Sequence, residues 1–429
     1  MRVLESKNKG FEVELVRILA QRRQEMEGVE EAVREIIAEV REKGDEALFY
    51  FTKKFDGVSL TRSEIEISPN SWEKAWQKGE KKTLIALQRA SERIASFHRQ
   101  ELHPSWFDTE KGVIRGQMVR PLKRAGVYVP GGKASYPSSL LMNAIPAKVA
   151  GVNEVVVVTP PQSDGVNPYI LAAAQMVGVD RVLLAGGAQA IAALAYGTES
   201  IPQADIVVGP GNIFVATAKR LLFGVAKVDM VAGPSEILVL SDGFPPPAFI
   251  AADLLSQAEH DEMAWPILIT SSNTFAQQVQ RDVAKMMRTL PRQEIIKASI
   301  EHHGLIIVVA DLKEGIQIAN RIAPEHLELA VKDPFQWLGA VENAGAIFLG
   351  PYTPEAAGDY LGGPNHVLPT GGTARFFSPL GVEHFLKKIN LLSFSRETLE
   401  ETKDDLARLA RMEGLEAHAL AVEVRGKEV

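Results

Sequence analysis

The chain has 429 residues, which at roughly 100–200 residues per domain allows two to four domains and a large buried core. With 47 basic and 54 acidic side chains the formal net charge is −7, leaving no positive field to gather nucleic acid or anionic lipid. A hydrophobic fraction of 46% and a charged fraction of 24% are those of a globular protein, and the absence of cysteine excludes disulfides, thiolate metal sites and cysteine nucleophiles.

The first residues, MRVLESKNKGFEVELV, contain no apolar leader-like run, and no stretch approaches the roughly 18 apolar residues of a spanning helix, so a cytoplasmic protein is expected. Residues 1–22 read as a helical arm. Apolar positions recur at helical spacing over 11–55, as at Val29, Val33, Ile36, Ile37, Val40 and Ala47, and more weakly over 72–101, predicting amphipathic helices. Around 116–119 and 126–129 the pattern changes to short β-like pieces punctuated by Pro121 and Pro130.

Residues 127–235 carry only 12 charged side chains in 109, about half the density of the whole chain. Apolar runs at 155–158, 182–184 and 206–208 alternate there with helical stretches at 168–177, 188–196 and 213–222. That alternation predicts βαβ units around a parallel sheet covered on both faces. It resumes after Ser235 with runs at 237–240, 267–270, 305–309 and 346–349, separated by helices near 247–260, 274–288 and 312–321. The expected fold class is therefore α/β, with two open Rossmann-like domains. Residues 127–235 form one, inserted into a larger discontinuous domain of 23–126 and 236–376. Residues 377–429, charged and helical apart from a short strand-like LLSFS, form a tail.

Three glycine turns could approach a ligand closely: Pro130-Gly131-Gly132, Gly186-Gly187 and Gly209-Pro210-Gly211. The last two each follow an apolar run and open a helix, where backbone N–H groups and the helix dipole favour an anion. None continues as G-x-G-x-x-G, and a tight strand-to-helix connection is the plain structural alternative. Gln257 and His260, three apart near a helix end, share a face that could serve a metal or merely a surface. In Pro324-Glu325-His326 a carboxylate adjoins an imidazole, and joint action would require irregular backbone, since a regular strand points neighbours to opposite faces. The glycine- and proline-rich stretch 350–366, holding Asp359 and His366, has the length of an ordered functional loop.

Taken in order, AGVYVPGGKASYPSS (125–139), GGAQAIAALAYGTESIP (186–202), GPGNIFVATAKR (209–220), AGPSEILVL (232–240), DLLSQAEHD (253–261), RIAPEHLEL (321–329), AAGDYLGGPNH (356–366) and EGLEAHA (413–419) resemble the histidinol dehydrogenase family over essentially the whole chain. The resemblance implies one Zn2+ per subunit, held by Gln257, His260, Asp359 and a tail His418 from the other subunit. It implies Glu325 and His326 as acid/base residues and NAD+ contacts at Tyr128, Gln189 and Asn212. Substrate contacts fall on Ser235, Gln257, His260, His326, Asp359, Glu413 and His418. A homodimer follows, with N- and C-terminal extensions exchanged and Glu413 and His418 supplied across the interface.

The implied reaction takes L-histidinol through L-histidinaldehyde to L-histidine with two NAD+. An aldehyde is oxidised either as a cysteine thiohemiacetal or as its hydrate, and this chain leaves only the hydrate. Imidazole suits removal of the hydroxyl proton, which assigns His326 as general base and Glu325 as the group that activates water. The competing readings are a zinc-dependent dehydrogenase of another amino alcohol and a catalytically silent nucleotide-binding regulator.

Overall fold

The structure is a computed structural model and describes residues 1–24, 27–131, 136–163, 165–231 and 233–426. Two compact units partition the chain: residues 1–101 with 122–385, and residues 102–121 with 386–429.

In the first unit one sheet has five parallel strands in the order Arg181–Leu184, Glu154–Thr159, Arg124–Tyr128, Ile206–Val208, Lys227–Val228. The run Val155–Val158 is fully buried because helices cover both faces, which leaves no room for alternating polar side chains. The second sheet has six parallel strands in the order Arg2–Glu5, Leu305–Val308, Trp265–Thr270, Glu236–Ser241, His326–Ala330, Ala346–Leu349. The five-stranded sheet starts at its middle strand, runs outward on one side and then crosses to the other; in the six-stranded sheet Arg2–Glu5 takes one edge, and from Glu236–Ser241 the chain runs out toward that edge before crossing to the other side, so each has one point where the chain reverses direction across the sheet. Among the described residues no helix is long and apolar enough to cross a membrane.

Residues 1–22 are not a separate arm. Arg2–Glu5 pairs with Leu305–Val308 as the edge of the six-stranded sheet, and the helix Phe11–Gln24 buries Phe11, Leu15 and Ile18 against Leu238, Leu240 and Ile269. A four-residue edge strand with a charge at each end, RVLE, has too short a period to be read. Residues 81–101 do meet 358–365, through Arg93 with Leu361 and His98 with Asn365, but residues 30–56 do not join 236–376 in the expected larger discontinuous domain. Val33, Ile36, Val40, Leu48 and Phe51 pack with Val156, Val158, Ile191 and Leu194, so these helices cover the five-stranded sheet. The cut at 126/127 falls inside the strand Arg124–Tyr128, whose Arg124 pairs with Glu154.

The second unit explains the strand-like LLSFS. Leu386–Phe394 pairs antiparallel with Val113–Pro121, which pairs with Trp106–Glu110, and the helices Arg396–Met412 and Glu416–Glu423 follow. The C-terminal extension therefore begins at 386 rather than 377, and it includes 102–121 because a three-stranded sheet needs those partners.

Leu15 is fully buried on the N-terminal helix. Leu15→Ala is expected to lower unfolding free energy by about 2–4 kcal/mol in urea denaturation, the cost of a core cavity. A loss under about 0.5 kcal/mol, within the range of surface substitutions, would show that this helix does not dock as described.

Candidate active site

The helix Leu312–Ile322 ends at Ala323, held in the left-handed region with φ 48°, and Pro324 then turns the chain into the strand His326–Ala330. Glu325 thus stands just outside the strand that His326 begins. That irregular step brings the neighbours to one side, with Glu325 Oε2 3.6 Å from His326 Nδ1 and both residues buried. Glu236, the first residue of the adjacent strand, meets both: its N–H donates to Glu325 Oε2 at 2.8 Å, and its carbonyl accepts from His326 Nδ1 at 2.8 Å. With Nδ1 engaged as the donor, the lone pair sits on Nε2, which is buried and unpartnered. Burial lowers the His326 pKa to about 4, so the ring is neutral and Nε2 is free to take a proton. Burial also pushes Glu325 well above the usual carboxylate range, which makes its anion a stronger base.

Three of the four predicted ligand residues, Gln257, His260 and Asp359, gather near the His326 ring. Asp359 Oδ1 lies 4.0 Å from His326 Nε2. Gln257, in the last turn of the helix Pro247–Ala258, is fully buried, with Oε1 3.2 Å from His326 Nδ1 and its Nε2 unpartnered. His260 follows the same helix, and burial lowers its pKa, keeping a ring nitrogen available as a donor to a cation. Donor atoms of His260, Glu355 and Asp359 all lie within 4.8 Å of one another.

Glu355 was not anticipated. It opens the short helical turn that leads into Gly358–Gly362, four residues before Asp359, and that i, i+4 spacing was its readable signal. It is buried, its Oε1 has no hydrogen-bond partner, and it stands 3.7 Å from His326 Nδ1. Behind it lie two more carboxylates, the buried Glu328 and the half-buried Asp253. Glu328 Oε1 accepts from the Glu355 N–H at 2.7 Å, and Glu328 hydrogen-bonds Asp253. Burial drives Glu328 and Glu355 well upward and Asp253 to about 6.

Ser235 directly precedes Glu236 and its carbonyl accepts from Trp265 N–H at 2.9 Å, so it sits at the same strand entrance. Tyr128, Gln189 and Asn212 lie elsewhere, at the carboxyl ends of the five-stranded sheet. The Tyr128 hydroxyl accepts from Gly187 N–H at 3.3 Å, and burial pushes its pKa up to about 12. Gln189 is buried with both amide atoms unpartnered. Asn212 caps the helix Ile213–Leu222 by accepting from Phe214 and Val215 N–H groups, a structural duty that occupies its oxygen. Gly209, at φ 118°, is the turn where glycine is required, because a Cβ there would strike the Tyr128 carbonyl. Gly132 lies outside the described residues. Glu413 and His418 belong to the second unit, at the end of Arg396–Met412 and on Glu416–Glu423 respectively.

A neutral histidine with an open nitrogen, an adjoining carboxylate and a donor set suited to a cation define an α/β enzyme. A family model described as histidinol dehydrogenase matches residues 19–426. Histidinol dehydrogenase of Syntrophotalea carbinolica is 54% identical over 429 residues, covering 100% of both chains, and that of Bacillus thuringiensis 54% over 400 residues, 93% of each. The crystal structure of histidinol dehydrogenase from Elizabethkingia anophelis, 35% identical, superposes with a TM-score of 0.92 over 99% of this chain and 98% of that one. The chain belongs to the histidinol dehydrogenase family, NAD-dependent oxidoreductases of histidine biosynthesis.

The raised carboxylates make stability depend on pH. Groups whose folded pKa exceeds the unfolded value stabilise below the ordinary carboxylate range, near pH 4, and lose that contribution as pH rises through the folded value, about 6 for Asp253. Glu328→Gln removes one of the two charges. Between pH 5 and pH 8 it is expected to lose less stability than wild type, by on the order of 1–3 kcal/mol in urea titrations. Equal losses would show that Glu328 and Asp253 share no proton.

Proposed function

We propose that this chain oxidises L-histidinol to L-histidinaldehyde and then to L-histidine, delivering two hydrides in turn to two NAD+ in the cytoplasm. The observation that carries the mechanism is the His326 ring, held by the Glu236 carbonyl at Nδ1 so that its unpartnered Nε2 stands toward Asp359 Oδ1. His326 Nε2 takes the hydroxyl proton as hydride leaves the carbinol carbon. Glu325 then takes a proton from water as it adds to the aldehyde, and the hydrate loses the second hydride. With no cysteine in the chain, no thiohemiacetal enters the sequence.

The residues fit a zinc ion. Gln257, through its amide oxygen, His260 and Asp359, with His418 of a second subunit, would hold one Zn2+ per subunit, as the converging His260 and Asp359 donors support. Bound there, zinc supplies electrostatic anchoring of the substrate's imidazole and amine. The chain's own groups do the proton work. Ser235, Glu413 and His418 complete the substrate contacts, the last two reaching across a homodimer in which the tail is exchanged. Both parallel sheets are read as Rossmann-like, and NAD+ lies over the carboxyl ends of the five-stranded one, against Tyr128, Gln189 and Asn212.

Counting NADH per histidinol consumed tests the reaction: two is expected, and one would limit the enzyme to the aldehyde. Glu325→Gln should slow histidinaldehyde oxidation by about 10²-fold or more while slowing the first hydride transfer less, whereas His326→Ala should slow both. Equal losses for Glu325→Gln would refute the division of roles.

The exchanged tail is tested by subunit mixing. His326→Ala and His418→Ala homodimers should each be nearly inactive. Refolded together, one site of each heterodimer regains both wild-type residues if His418 serves the partner, and activity returns. Heterodimers that stay at the parental level would place His418 in its own subunit's site.

A further inference from the structure

Asp56 ends the helix Asp45–Asp56, followed by the left-handed Gly57. A carboxylate at a helix C-terminus opposes the helix dipole. Its Oδ2 is shut away from solvent with no hydrogen-bond partner, and burial raises its pKa to about 6, leaving it anionic at neutral pH. Among the described residues no hydrogen bond to Oδ2 offsets either cost.

Its position gives the cost a purpose. Asp56 Oδ1 lies 3.2 Å from where a Cβ on Gly186 would stand, so the carboxylate faces the Gly186–Gly187 turn. On the other flank of that turn the Gln189 amide, buried and unpartnered at both atoms, lies 2.7 Å from the Cβ position of Gly187. Tyr128, whose hydroxyl meets Gly187 N–H, is close enough to feel the Asp56 charge. Hydroxyl donors satisfy a carboxylate, and a phosphate beside it is repelled.

We propose that Asp56 accepts hydrogen bonds from the adenosine ribose hydroxyls of NAD+ and thereby selects NAD+ over NADP+. The proposal rests on the reading that these glycine turns take the dinucleotide. Acidic residues bind ribose in this way in parallel α/β sheets, where the carboxylate also rejects a 2′-phosphate. Here the acid comes from a helix outside the sheet rather than from the end of a strand.

The test uses full-length protein with saturating histidinol and varied NAD+ or NADP+. Asp56→Asn should raise KM for NAD+ roughly tenfold or more, the loss of one or two charge-assisted hydrogen bonds, with the effect in KM rather than kcat. The NADP+ to NAD+ ratio of kcat/KM should rise by at least a similar factor. Thermal unfolding without cofactor separates this from a structural role, because removing an unpaired carboxylate from the wrong helix end should leave Tm unchanged or higher. A folded Asp56→Asn enzyme with wild-type KM and cofactor preference would overturn the proposal, as would a lowered Tm with unchanged preference. Gln189→Ala is the second arm. A raised NAD+ KM there with no effect of Asp56→Asn removes Asp56 alone, whereas unchanged KM in both removes the dinucleotide from this turn.

Discussion

Glu236 is the residue on which the site's geometry turns. Its side chain, almost fully buried, is held by Arg22 through the guanidinium Nε at 2.9 Å and a second bond from Nη2, and it also accepts from Gly371 N–H at 3.1 Å. Arg22 in turn donates to the Ile322 carbonyl at 3.0 Å, one residue before the bend that leads to Glu325. The backbone of Glu236 orients Glu325 and His326. One buried ion pair thus ties the N-terminal helix, the start of a central strand, the Gly371 loop and the bend before Glu325. Buried ion pairs add little net stability but break expensively, so this one serves better as a fixture than as a source of folding energy.

That fixture stands at the amino end of its sheet, beside the proposed acid/base pair Glu325 and His326. Ligands of open α/β sheets ordinarily lie at the carboxyl ends of the strands, and the glycine turns of the five-stranded sheet obey that rule. At the amino end of the six-stranded sheet the positioning falls to backbone groups of one residue. It is done by Glu236 N–H and C=O, which fix a carboxylate and an imidazole tautomer.

The two ends also differ in how readable they are. Val155–Val158 was legible as a strand because burial on both faces makes it continuously apolar. The strand His326–Ala330 was hidden by Glu328, a carboxylate inside the protein whose proton-sharing partner Asp253 lies on another element. Glu325 and His326 stood out as a pair, but their cooperation depended on a left-handed Ala323, which no propensity foretells. Arg22 and Glu236 are 214 residues apart, and nothing local in either stretch announces the other. The residues proposed as ligands were legible through family resemblance, whereas Glu355 offered only its i, i+4 spacing to Asp359.

Among the described residues, most of the buried side-chain polar atoms without partners lie at the two candidate sites. His326 Nε2, Gln257 Nε2, Glu355 Oε1 and His366 Nε2 are all buried without partners, as are the Gln189 amide and Asp56 Oδ2 beside the glycine turns. Each such group costs about 1–3 kcal/mol, more when charged, so cores of Leu238, Ile269 and Leu329 on one side and Val156, Ile191 and Leu194 on the other must carry that expense. Because rigid strands and helix ends hold these atoms, a ligand meets donors and acceptors already in place and loses little affinity to reordering the protein. The same polar atoms that weaken the empty fold are therefore the ones that make it selective, which ties catalytic capacity to the apolar packing beneath it rather than to the loops above.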